Sequence, residues 1–191
     1  GLGDVYKRQE LARDAGHGMF AAIITLNVAG SDHCLGNYEQ AHDRLEEARS
    51  RYREARLPEA DVSFLSGYIA LSSGNRGRAR SDFRDALERY LDEGSPDVGH
   101  ALLGLADLAL SDGRETEAST LFGCTYTQMP GMAPETGDLP MGYVLDREEA
   151  CREARASLGE AAWDSALVAG REMTLDEAVA FAKASSPLSR E

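Results

Sequence analysis

Lysine is almost missing from this chain. Only Lys7 and Lys183 occur among 191 residues, so nearly all the positive charge is arginine, and 20 Lys and Arg face 33 Asp and Glu for a net charge of −13. So acidic a surface argues against a grip on a phosphate backbone, which needs a basic face. Cysteine is scarce as well: Cys34, Cys124 and Cys151 are odd in number, far apart and never in a C-x-x-C pair. That leaves a disulfide framework and a zinc site unsupported, and it fits reduced, buried thiols in a cytoplasmic protein. Long apolar runs are absent. The longest, Met19 to Leu26, is interrupted by Thr25, too short for a transmembrane helix, and no secretory leader is visible. A Gly-x-x-x-x-Gly-Lys-Ser/Thr phosphate loop is missing, as are His-Glu-x-x-His and Gly-x-Ser-x-Gly. The expectation is no catalytic residue, no metal and no cofactor.

What is present is a chain with 42% apolar and 28% charged residues, the balance of a globular fold. Its organising feature is a ladder. Gly36, Gly74 and Gly113 are each followed five residues later by Ala41, Ala79 and Ala118, and nine residues later by Leu45, Phe83 and Phe122. A glycine after a helix permits a left-handed turn. The small alanine then lets a neighbouring helix approach, and the large residue fills the space beside it. Apolar stretches precede each glycine, so the unit is helix, tight turn, helix. Such a unit cannot bury its apolar face alone and stacks on copies of itself.

The ladder resembles the tetratricopeptide repeat. Ala29, Gly67 and Ala106 fall on that family's first small position, and Tyr38 falls on the turn tyrosine in the first unit only, with Arg76 and Glu115 in its place elsewhere. The family's tryptophan position holds Thr25, Ser63 and Leu102. The expected fold is all-α: a TPR-like α-solenoid of three helical hairpins over residues 10–128, with a C-terminal helical cap over 143–185.

Residues 1–9 read GLGDVYKRQ, which looks like a translated sequencing-library adapter and is set aside as non-native. The chain is therefore expected to be a piece of a longer gene product. The first helix is expected over Met19 to Ala29. Tyr38, Ala41, Leu45, Ala48 and Tyr52 form an apolar stripe at helical spacing, with Glu46, Glu47, Arg49 and Arg51 on a solvated face. Pro58 is placed to open the next helix. Ser95-Pro96-Asp97 reads as an N-cap, a first-position proline and a first-turn acid. Residues 129–142 hold Pro130, Pro134 and Pro140 and read as a linker. Beyond it, Asp146 to Glu149 and Thr174 to Glu177 read as capping boxes. Trp163, the single tryptophan, sits on an apolar stripe and is expected in the core.

The C-terminal part resembles the close of the repeat domain in large ATP-binding bacterial regulators of the LuxR class. The residues that carry this are Leu158-Gly159-Glu160, Ala162-Trp163 and Ala169 through Val179. Pro187 to Glu191 is similar to the opening of that family's helix-turn-helix, so 186–191 would begin a further domain. The resemblance implies a non-catalytic protein–protein interaction or signal-sensing scaffold within a transcriptional regulator. Its partner would be a protein or peptide, of another chain or the same one; this segment would bind neither nucleic acid nor membrane, although the parent would bind DNA. A free-standing TPR adaptor, or the regulatory tail of a cyclase or kinase with an ATPase-plus-repeat layout, stays open beside it. Analogy with the family puts the partner groove at Asn27, His33, Asp61, Tyr68, His100 and Asp107, with ordinary surface residues as the alternative reading.

Overall fold

The computed structural model describes residues 2–129 and 147–185, with side chains from residue 16 onward. The proposed linker, save Met129, and the tail at 186–191 lie outside the described residues. The described residues hold helices and no strand: α1 (Leu2–Cys34), α2 (Tyr38–Ala55), α3 (Ala60–Ser72), α4 (Arg76–Asp92), α5 (Val98–Ser111), α6 (Glu115–Gln128), α7 (Arg147–Leu158), α8 (Glu160–Arg171) and α9 (Leu175–Ser185).

The three ladder glycines make the three turns. Gly36, Gly74 and Gly113 have φ of 78°, 75° and 69°. In each turn the glycine N–H and the next N–H donate back to the helix just ended: Gly74 to Leu71 and Asn75 to Ala70, with equivalent pairs at Gly36 and Gly113. This is the Schellman closure, which satisfies the last carbonyls of a helix. Three antiparallel pairs follow, α1 with α2, α3 with α4 and α5 with α6, and neighbouring pairs touch through α2 with α3 and α4 with α5. Two side-chain hydrogen bonds, His33 to Ser72 and Tyr68 to Asp107, each span 39 residues, one ladder step.

Packing follows the small-and-large pattern. Ala41, Ala79, Ala118, Phe83 and Phe122 are fully buried, and Leu45 nearly so. Phe83 lies between α3 and α5 against two glycines: a Cβ on Gly67 or Gly104 would come within 2.5 or 2.4 Å of its ring. Glycine at both positions is what lets a whole phenyl group fit the seam.

Three expectations are corrected. The first helix is not Met19 to Ala29 but runs from Leu2 to Cys34. No proline interrupts it, Gly16 and Gly18 each cost only about 1 kcal/mol inside a helix, and the first true stop is Gly36. Its helical backbone begins within the stretch that the sequence sets aside as non-native. Tyr38 belongs to no buried stripe; it is 41% exposed. The helix expected to open at Ser95 begins at Val98, and Ser95 accepts from the Asp97 N–H in the preceding turn. One end of the molecule is apolar: Phe20 and Ile24 on α1 are 61% and 59% exposed.

The C-terminal helices close the other end. Trp163 on α8 is buried beside Phe122, with ring centroids 6.3 Å apart, and its carbonyl accepts from Ser119 at 2.7 Å. Gly123 and Gly170 bring α6 and α8 backbone to backbone: a Cβ on Gly123 would meet the Leu167 carbonyl at 2.1 Å, and one on Gly170 the Thr120 carbonyl at 1.9 Å. Thr174 and Glu177 form the expected capping box at the start of α9, each side chain reaching the other's backbone N–H. From α9, Lys183 pairs with Glu88 at 3.3 Å, and the Ser185 carbonyl accepts from Arg114.

Candidate functional site

Two clefts open along the first helices of the three pairs. The first, of about 480 Å³, runs past His33 on α1, Leu71 and Ser72 on α3 and Asp107 and Leu110 on α5; Ala150, Glu153 and Ala154 of α7 form its far wall. The second, of about 400 Å³, is lined by Ile23 and Asn27 of α1, Asp61 and Phe64 of α3 and His100 of α5, with Tyr52, Tyr90, Glu93 and Asp97 around it.

The first cleft is built over a buried charge. Asp107 and Arg147 are 1% and 2% exposed. Arg147 donates through Nε to one carboxylate oxygen of Asp107 and through a terminal nitrogen to the other, both at 2.7 Å. The Tyr68 hydroxyl donates to the same carboxylate at 2.7 Å. A two-pronged guanidinium–carboxylate pair of this kind is the strong form of the interaction. Burial opposes the charge on Arg147, but the Asp107 carboxylate more than offsets it and holds the guanidinium protonated. His33, 2% exposed, shares a hydrogen bond with Ser72 at 2.8 Å. Burial lowers its pKa, with a hydrogen bond to the Tyr68 backbone offsetting part of the shift; the imidazole is neutral at pH 7.

The second cleft is acidic and aromatic. Tyr90 donates to Asp61 at 2.5 Å. Burial, then the Asp61 charge, pushes the Tyr52 phenol up to about 12 and raises Tyr90 further. The same two causes raise Glu93.

The six positions expected to form one groove therefore divide. His33 and Asp107 border the first cleft; Asn27, Asp61 and His100 border the second. Tyr68 is fully buried and lines neither. Exposure was expected at all six, and for His33, Tyr68 and Asp107 that is corrected: α7 and neighbouring helices cover them. Arg147, the residue that completes the first site, was read only as part of a capping sequence. A signal for it existed, because Arg147, Cys151 and Ala154 lie at i, i+4 and i+7 and all are buried. An arginine standing in line with an apolar stripe points to a buried acid as its partner.

Among the described residues no cluster of three or more His, Cys, Asp or Glu is placed to hold a metal ion, and no helix is long and apolar enough to cross a membrane. Cys124 and Cys151 are buried and Cys34 is half-buried, none in a disulfide; burial pushes the Cys124 thiol up to about 11. No family model matches the chain, and neither a curated protein nor a solved structure does.

Proposed function

We propose that the chain is a non-catalytic protein-binding scaffold: a TPR-like α-solenoid of three hairpins, closed at one end by α7 to α9, serving a bacterial transcriptional regulator of the LuxR class. The observation that carries the binding role is the pair of clefts, each lined by residues from α1, α3 and α5 together. A peptide laid along such a face meets one side chain after another at the repeat spacing, the helical-groove mode of recognition. The ladder of glycine turns supports the repeat assignment. The regulator setting rests on the sequence resemblance of residues 158–179, and a cytoplasmic setting goes with it.

Binding of an arrayed peptide library to the whole chain, followed by amide hydrogen exchange on the bound pairs, tests this. Bound peptides should slow exchange along α1, α3 and α5. Protection confined to α2, α4 and α6, or no binder at all, removes the scaffold reading. The regulator setting has its own test. This acidic chain should form no complex with duplex DNA even at low ionic strength, where charge repulsion is least screened. A longer reading frame should add a basic helical domain after residue 191 and give a salt-sensitive complex. A frame that runs instead into a catalytic domain moves the scaffold to the signalling-enzyme setting.

A further inference from the structure

The helix that walls the first cleft, α7, is thinly packed. α7 buries one charge and two small side chains, Arg147, Cys151 and Ala154, and rests only the half-buried Leu158 at its end against the core. Two small side chains remove little apolar surface from water. The cleft of about 480 Å³ lies along α7, bordered by Ala150, Ala154 and Ser157 on one side and by Tyr38, Leu71 and Leu110 on the other. The cleft is open, so α7 walls this face without covering it. Its one deeply buried polar contact is the fork from Arg147 to Asp107, on a carboxylate already oriented by Tyr68.

We propose that α7 is the groove's built-in occupant, and that the partner is a helical segment presenting an arginine to Asp107 with small residues one and two turns further on. The proposal rests on the binding reading above and gives that reading its ligand chemistry. The physical reason lies in the exchange. Pulling Arg147 out takes two guanidinium donors from the Asp107 carboxylate and leaves it the Tyr68 hydroxyl. Replacing it with another guanidinium strands nothing, since the same two donors return to the same two oxygens. Lysine cannot make that replacement, because an ammonium lacks the planar fork. The acidity of the whole chain, net −13, draws basic segments toward it. A bound partner therefore releases α7, and α7 in place excludes weak or lysine-based competitors.

Cys151, buried on α7, and Cys124, buried in α6, give the experiment its two reporters. A twelve-residue peptide copying 147–158 with Cys151→Ala is added to the intact chain, and alkylation of each cysteine is followed by mass spectrometry of the digested protein. The peptide should speed alkylation of Cys151 on the order of tenfold while Cys124 is unchanged, the signature of local rather than global opening. The same peptide with Arg147→Lys should have little effect. In the chain itself, Arg147→Ala should release Cys151 without any peptide; Arg147→Lys, which keeps the charge, serves if the alanine variant does not fold. Cys124 rising in step with Cys151 overturns the proposal and leaves the scaffold reading standing, because α7 would then be part of the cooperative fold. An equal response to the lysine peptide overturns it too. Selective release by Arg147→Ala with no response to any peptide removes the scaffold reading at this face, and the proposal with it.

Discussion

α7 and α8 are neighbours in the chain, yet they are held to the first six helices by opposite means. α8 is fixed by shape. Two glycines let its backbone touch that of α6, and Trp163 fills the space beside Phe122. α7 is fixed by charge, one arginine on one buried aspartate. Shape-held contact depends on atoms that no passing ligand supplies, so it is unconditional. Charge-held contact depends on a group that any suitable partner also carries. One attachment depends on backbone contact, and the other is of the kind the proposed exchange requires.

The sharpest way to break the comparison is to spoil the shape-held seams. Phe83→Ala should cost about 3–5 kcal/mol, since its ring fills the space left by Gly67 and Gly104. Gly170→Val should cost at least about 3 kcal/mol, because its new Cβ meets the Thr120 carbonyl. Urea denaturation measures both, and a loss under about 1 kcal/mol at either position would mean the seams are softer than their geometry. The charge-held contact should answer differently. Arg147→Gln alone should cost about 3 kcal/mol by leaving Asp107 buried and unpaired, whereas Arg147→Gln with Asp107→Asn should cost clearly less than that single change. A double-mutant cycle reads the difference, and simple additivity would erase the distinction between the two helices.

A third outcome concerns pH. His33 beside the first cleft has a pKa lowered by burial, so near its ordinary value of about 6.5 the unfolded chain takes up a proton that the folded chain still refuses. The stability this contributes is present above that value and is lost as pH falls through it. His33→Gln keeps a hydrogen-bonding partner for Ser72 and should reduce the drop in urea midpoint between about pH 7 and pH 5. An unchanged drop assigns the pH dependence elsewhere. The smallest expected effect lies in a turn. Arg56 closes α2 with φ of 55° and the bonding pattern used by Gly74 and Gly113. Arg56→Gly should therefore gain up to about 1 kcal/mol, while Glu47→Ala, on the solvated face of α2, should stay within about 0.5 kcal/mol.

The sequence was legible where the physics is local. A glycine, an alanine five residues on and a bulky residue nine on located three turns and their buried stripes, because turn closure and helical period are settled within a dozen residues. Arg56 escaped notice because it takes a glycine's conformation without being glycine. The Asp107–Arg147 pair escaped because its members are 40 residues apart and Arg147 lies beyond the last of the three ladder units. Analogy placed Tyr68 and Asp107 correctly on first helices, but it could not say that a later helix would cover them.

The same separation puts a clock on the molecule. Synthesis runs from the N-terminus at about 5–20 residues per second, so Asp107 is made 40 residues before Arg147, a lead of roughly 2–8 seconds at that rate. Tyr68 and Asp107 sit on α3 and α5, whose partners up to α6 are made before Arg147. Under the exchange proposed above, each new copy would for those seconds lack its own guanidinium, and a partner already present would meet the Asp107 carboxylate before Arg147 exists.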